Sequence, residues 1–409
     1  MESGITSSRH ARAAAAPEVL AVFLKLGLTC FGGPIAHIGY FRREFVERRR
    51  WLDEETFSDL VGLCQFLPGP ASSQVGFSVG LIRAGWLGGL AAWCGFTLPS
   101  VLLLLAFAAI SPSLGGPVGQ GLIHGLKLVA VAVVAQAVWD MARRLCPDHR
   151  RAAIALIAIA VLSVLTTLYA QLIVIVLGAV LGLRLCKTDR PIATTGATHA
   201  GEFRVTRAAG AVALVLFCAL LFALPAVSGI GSRAISVFDA FYRSGALVFG
   251  GGHVVLPLLQ QETVATGWVS SNNFLAGYGA AQAVPGPLFT FAAFLGWSMH
   301  AEPNRWSGAL IATAGIFLPG LLLVIAALPY WQALRARAST LAMLSGVNAA
   351  VVGLLATALY SPVWTGGVRS TPDFAIATIA FFLLTRWKVP PLAIVTICAL
   401  AGVAEALVR

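Results

Sequence analysis

Two Pro-Gly-Pro triplets, each set inside an apolar run, constrain this chain more than any other feature. The first stands in Gln65-Phe66-Leu67-Pro68-Gly69-Pro70-Ala71-Ser72-Ser73, the second in Gln282-Ala283-Val284-Pro285-Gly286-Pro287-Leu288-Phe289-Thr290. A proline inside a helix deletes a backbone hydrogen bond and clashes with the preceding turn. Within lipid, such a break survives only where protein or a water-filled cavity satisfies the freed backbone groups. The second proline of each triplet, Pro70 or Pro287, suits the first position of a new helix. The amides of Ala71, Ser72 and Ser73 then stand unpaired at a positive helix terminus, which suits an anion. The same is expected of Leu288, Phe289 and Thr290.

The surroundings of the triplets fix the class. Of 409 residues, 58% are hydrophobic and only 11% charged, with a mean hydropathy of +0.84. Apolar runs of about 20 residues recur, so the chain reads as an all-α polytopic membrane protein. Residues 1–16 carry Arg9 and Arg12, and no cleavable signal sequence follows them. The seven cysteines form no CxxC and no metal-ligand spacing, and read as buried free thiols. Net charge is +11, mostly arginine in short loops between spans, as the positive-inside rule requires. No basic helix with interleaved aromatics points to nucleic acid.

Taken in order, residues 1–16 are a cytoplasmic tail and 17–186 a first transporter unit. Residues 187–235 hold a polar linker and one transmembrane helix, and 236–409 form a second unit. In the first unit an apolar run from Pro17 breaks at Phe31-Gly32-Gly33-Pro34 and resumes as far as Phe41. The charged stretch from Arg42 to Trp51 reads as an interfacial helix. Residues 57–84 hold the first Pro-Gly-Pro between arms too short to cross a bilayer, which suggests a re-entrant or broken hairpin. Full-length spans are expected at about 86–110, 121–139, 152–168, 170–185 and 208–224.

The second unit repeats the first. Phe31-Gly32-Gly33 recurs as Phe249-Gly250-Gly251, and Glu44 as Glu262, both at an offset of 218. Gln65 and Pro68 recur at an offset of 217, Gly95 and Pro99 at 220, and Gly125 at 221 as Gly346. That last register sets Lys127 opposite Asn348. With the motif segments taken as re-entrant, arginines at 42–50, 143–151, 184–207, 335–337 and 386–388 share one face. An odd number of spans then separates the units, so they are inverted, with a cytoplasmic N-terminus.

The block Phe-Gly-Gly-Pro, Trp51 before an acidic turn, and Gln-Phe-Leu-Pro-Gly-Pro, with its weaker second copy, resembles the chromate ion transporter family. The likeness covers nearly the whole chain and is closest to the long, two-domain members. It implies an inner-membrane transporter that exports chromate and so confers resistance, with sulfate as the related oxyanion and inverted halves. Sulfate transport, carriage of another anion and a passive anion channel are the alternatives within transport.

Site candidates follow. Gly32, Gly33, Gly250, Gly251 and Gly252 allow close backbone approach, or serve helix contacts instead. Gln65 and Gln282 precede their triplets by three residues and either donate to an oxyanion or pair with broken backbone. Pro68, Gly69, Pro70, Ala71, Ser72 and Ser73 form the first terminus; Pro285, Gly286, Pro287, Leu288 and Thr290 form the second. His253 follows the second glycine run, and packing is its plainer role, as for His37 and His124. Lys127 lies inside an apolar span and is a functional candidate by default, with snorkelling as its alternative; Asn348 is its counterpart. Glu44 and Glu262 leave proton coupling open beside simple ion pairing, and a homodimer is a further open arrangement. No cofactor or metal is implied. A membrane-embedded transferase lacks its acid–base constellation, and no Walker pattern argues for ATP drive.

Overall fold

The computed structural model describes residues 15–165, 170–186, 205–229, 231–330 and 338–408. Residues 187–204 of the expected linker, and Arg335 and Arg337 of the expected arginine face, lie outside these. All regular structure among the described residues is helical. That is the one open-ended way for a backbone to satisfy its own hydrogen bonds in lipid.

In the first unit, α1 (Ala16–Thr29) ends where Cys30 becomes extended, and α2 (Gly33–Arg42) starts after Gly32 at φ 96°. A π-helical turn, Arg43–Arg48, carries α2 into the charged stretch. Helix α3 (Glu54–Phe66) is capped by Asp53, whose carboxylate accepts from the Thr56 amide. Helix α4 (Ala71–Ile110) is broken at Ala84 and Gly85. Segments 71–83 and 86–110 therefore fold back on each other, and a Cβ on Gly80 would collide with the Gly88 carbonyl. Three helices complete the unit: α5 (Gly116–Leu145), α6 (His149–Val164) and α7 (Ala170–Leu185).

The connecting helix is α8 (Arg207–Ser228). The second unit runs through α9 (Arg233–Ala246), a 3-10 turn at Gly252–Val254, α10 (Val255–Thr263) and α11 (Ser271–Ala281). It continues as α12 (Leu288–Trp297), α13 (Arg305–Ala327), α14 (Ala338–Ala358), α15 (Thr371–Thr385) and α16 (Pro391–Val408).

Two details depart from expectation. Pro70 and Pro287 are N-cap residues rather than first helical residues, because their ψ angles of 85° and 130° are not helical. Leu288–Thr290 forms a 3-10 turn, so the Thr290 amide is not free: it donates to the Pro287 carbonyl at 3.0 Å.

Six of the described helices are long and apolar enough to cross a membrane, and the protein is multi-pass. Large apolar side chains such as Phe222, Val215 and Leu310 face outward. Trp86, Trp306 and Trp387 are also exposed at helix ends, where indole suits the lipid–water boundary.

Small residues set the closest approaches, as expected where lipid removes any hydrophobic drive between helices. A Cβ on Gly27 in α1 would lie 2.7 Å from the Gly95 carbonyl oxygen in α4. In the second unit Gly245 of α9 meets the Ile316 carbonyl of α13 in the same way, and Gly296 meets Gly308 as Gly80 meets Gly88. The units also interlock. Leu104 and Ala108 of α4 pack into a core dominated by the second unit, while Leu321, Val324 and Ala327 of α13 pack into the first unit's core.

Candidate anion site at the four motif loops

The two Pro-Gly-Pro loops each bond to the glycine loop of the other unit. The Gly69 amide donates to the Val248 carbonyl at 2.8 Å, and the Gly286 amide donates to the Cys30 carbonyl at 2.8 Å. Val248 and Cys30 directly precede the two Phe-Gly-Gly motifs. The glycine loops also approach each other, since a Cβ on Gly252 would lie 3.7 Å from both Pro34 and Leu288. The four motif breaks therefore meet in one region, and helix N-termini at Gly33, Ala71, Gly252 and Leu288 gather there.

Each Pro-Gly-Pro glycine sits where a side chain would not fit. Gly69 has φ 114°, and a Cβ there would lie 3.0 Å from Gly320 Cα. Gly286 has φ 98°, with a Cβ 3.1 Å from that of Ser100. Gln74, fully buried, braces the first loop by donating through Nε2 to the Pro68 carbonyl at 3.0 Å and the Gly320 carbonyl at 2.9 Å. Gln65, the glutamine that the sequence singles out, is exposed. The phase of α4, starting at Ala71, turns Gln74 inward instead.

Around this region buried polar atoms lack partners. The first α-helical bond of α4 is made by Gln74, leaving the amides of Ala71, Ser72 and Ser73 outside the helix ladder. The Ser73 hydroxyl and Gln282 Nε2 have no hydrogen bond. His37 lies close to the Cys30 backbone, yet neither ring nitrogen has a hydrogen bond of normal geometry. His253 Nδ1 meets the Tyr278 hydroxyl at 2.7 Å, one helical turn before Gln282. Native interiors leave few such groups unsatisfied, and clusters of them mark places where a ligand or water belongs. Thr290 differs from Ser73: its hydroxyl donates to the Pro287 carbonyl and lies 2.8 Å from Ser100 Oγ.

Lys127 is not beside Asn348. Its Nζ donates to Asn272 Oδ1 at 2.8 Å, at the start of α11. Asn348 instead faces Gly250, whose Cβ would also touch Met141. Met141 lies fourteen residues along α5 from Lys127, roughly 21 Å of helix. Lys127 and Asn348, set opposite each other by the sequence register, therefore lie apart in the fold. Positions that align between the two units in sequence need not lie at equal depth.

Glu44 and Glu262 are both ion-paired. Glu44 meets Arg49 at 2.6 Å and Arg48 at 3.1 Å, and Glu262 meets Arg243 at 3.2 Å. Burial pushes the Glu44 carboxyl up, but hydrogen bonds from Arg49 and Arg48 outweigh it and hold the group below the usual range.

One constellation escapes sequence reading. His124 of α5 and Asp373 of α15 meet at 2.6 Å, and Glu405 of α16 completes a group within 4.8 Å. The three stand on three helices, one in the first unit and two in the second, so no local spacing signals them. A separate cavity of about 220 Å³ lies between α6, α7, α10 and α14, lined in part by Gln171, Gln260 and Gln261.

Comparison with known proteins agrees with this architecture. The chromate transporter family profile matches residues 17–183 and again 235–403. A chromate transport protein of Pseudomonas aeruginosa is 30% identical over 96% of this chain and 92% of its own. A probable chromate transport protein of Synechococcus elongatus is 28% identical over 93% of each. One from Cupriavidus metallidurans is 25% identical over 91% of this chain and 88% of its own. No solved structure matches. With the profile covering both units, this chain belongs to the chromate transporter family.

Proposed function

We propose that this protein is a secondary active transporter that exports chromate across the inner membrane and so confers chromate resistance. The observation that carries the reading is the meeting of four motif-bearing helix N-termini around buried polar groups without partners. A tetrahedral dianion needs many donors in place of water, because an uncompensated buried charge is very costly. Backbone amides at helix ends supply donors and a partial positive charge without locking the ion in place. Gly32, Gly33, Pro68 to Ser73, Gly250 to His253, Gln282 and Pro285 to Leu288 would line the path. Gln65, Thr290, Lys127 and Asn348 take supporting places.

We read the two units as inverted repeats with re-entrant motif hairpins and a cytoplasmic N-terminus. Supporting this are the two profile matches, which start at 17 and 235 and so keep the register of the glycine motifs. The exchanged Gly69–Val248 and Gly286–Cys30 bonds and the matched glycine contacts support it too. In such transporters the substrate binds at the repeat interface, at broken helices.

Radiolabelled oxyanion flux in proteoliposomes tests the function. Saturable chromate flux, driven by an imposed pH or voltage gradient and inhibited by sulfate, is expected. Chloride or nitrate competing equally would mean a nonselective pore, and sulfate flux much exceeding chromate flux would make sulfate the substrate.

A further inference from the structure

None of His124, Asp373 and Glu405 belongs to the four motif loops. Asp373 is 2% exposed at its side chain and His124 21%. Asp373 also accepts from the Arg369 amide at 2.9 Å, and Ser370 Oγ lies 3.4 Å from Glu405. The elements around it are tightly joined: a Cβ on Gly121 of α5 would lie 2.5 Å from the Gly402 carbonyl oxygen of α16.

A metal ion and a proton are the two occupants such a group takes. Two ligands on one tetrahedral ion at about 2.1 Å stand roughly 3.4 Å apart. The 2.6 Å separation of His124 Nε2 and Asp373 Oδ1 is instead that of a charge-assisted hydrogen bond. One proton sits in that bond, and a second on the other ring nitrogen would place a positive charge beside the Asp373 and Glu405 carboxylates. Among the described residues, Arg369, whose amide bonds Asp373, and Lys127, one turn further along α5, are cationic groups nearby. Helices α11 and α14, also packed on α5, carry no charged side chain.

The group is placed to act on the motif loops. Helix α5 grips α11 at two points close to His124. Lys127 bonds to Asn272 at 2.8 Å, and Gly279 lies directly against the Leu126 carbonyl. Helix α11 then leads straight into Gln282 and the second Pro-Gly-Pro. We propose that His124, paired with Asp373 and flanked by Glu405, is a proton-binding site whose occupancy is coupled to oxyanion binding. This rests on the transport reading. Protonation adds positive charge beside the helix that carries the anion loop, so proton and anion favour each other's binding, and linkage makes the effect reciprocal.

The test uses the purified full chain in detergent, with sulfate as probe because it stays fully ionised near neutral pH. In weakly buffered solution, sulfate addition should draw protons from the medium. Sulfate affinity should be about five-fold or more tighter at pH 6 than at pH 8. His124→Gln should still bind sulfate but lose both the proton uptake and the pH dependence, and Asp373→Asn should diminish both. Should either variant fail to fold, Glu405→Gln must diminish both readouts. Proton uptake and pH dependence unchanged in folded variants would overturn the coupling while leaving transport intact. A wild-type protein that bound no oxyanion would overturn the transport reading, and the coupling with it.

Discussion

Gly69 donates its amide to the Val248 carbonyl, and the distance of 2.8 Å is the same as that between Gly286 and Cys30. Each Pro-Gly-Pro loop is thus hydrogen-bonded to the opposite unit. A break that local sequence leaves unsatisfied is completed by backbone from the other half of the chain, as the hydrocarbon environment demands.

The first prediction tests that arrangement. Gly69→Ala must adopt φ 114° and crowd Gly320, and Gly286→Ala must adopt φ 98° and crowd Ser100. Gly251→Ala meets an unfavourable φ of 143° but open space. Backbone strain of this kind costs about 1–3 kcal/mol. Gly69→Ala and Gly286→Ala should therefore lower thermal stability in detergent more than Gly251→Ala and should abolish chromate flux. Equal stability of all three variants would argue against close packing at the loops.

How much of this is legible in the sequence depends on range. The breaks at Gly32, Gly69, Gly85 and Gly286 can be read because proline and glycine announce them locally. The partners cannot, since Val248, Cys30 and Asp373 are set by tertiary contact alone. Gln65 stands out before Gln74 because proximity to proline is visible in sequence, whereas the rotation of the helix after it is not. Lys127 and Asn348 share a register in sequence but not a place in the fold.

The second prediction concerns Gln74. Replacing it by Leu removes the side-chain donor to the Pro68 and Gly320 carbonyls, at about 1–3 kcal/mol for a buried group left unsatisfied. Gln74→Leu should fall in melting temperature and in flux together, while Gln65→Leu should change stability little. Melting curves of the two variants side by side decide the matter.

The third prediction separates Lys127 from Asn348. Lys127→Gln should keep expression and insertion but sharply reduce chromate flux, with Lys127→Arg retaining part of it. Because Asn348 faces Gly250 instead, adding Asn348→Lys to Lys127→Gln should restore nothing. Flux at the wild-type rate in Lys127→Gln would leave the lysine a structural tie to Asn272.

The fourth prediction is a pH effect. Glu44 is held below its ordinary range in the folded protein by Arg49 and Arg48, against the opposing effect of burial. A depressed carboxyl contributes stability that is present above its unfolded pKa and lost as pH falls through the folded value. The melting temperature of Glu44→Gln should therefore lie below wild type above about pH 5, with the gap closing as pH falls below about 4. A gap independent of pH would mean that the carboxylate charge plays no part.

Ser73 and Thr290 occupy equivalent places, each the third residue after its Pro-Gly-Pro triplet, but their hydroxyls are used differently. Thr290 Oγ1 donates to Pro287 and lies 2.8 Å from Ser100, whereas Ser73 Oγ is buried without a partner. Removing a hydroxyl that has no partner in the fold leaves nothing else unsatisfied, and removing one that serves two neighbours strands both. Ser73→Ala should therefore match or exceed wild type in thermal stability, and Thr290→Val should lose about 1–3 kcal/mol. Anion binding should rank the other way. If Ser73 completes the donor set for the oxyanion, its loss should weaken sulfate or chromate binding about ten-fold, the equivalent of roughly 1.4 kcal/mol. Thr290→Val should weaken binding less, in proportion to its structural damage. Sulfate affinities and melting temperatures of the two variants give a two-way comparison that neither a purely structural nor a purely ligating role for both residues can satisfy. Wild-type affinity in Ser73→Ala would remove Ser73 from the site and leave only the backbone amides of α4 facing the anion.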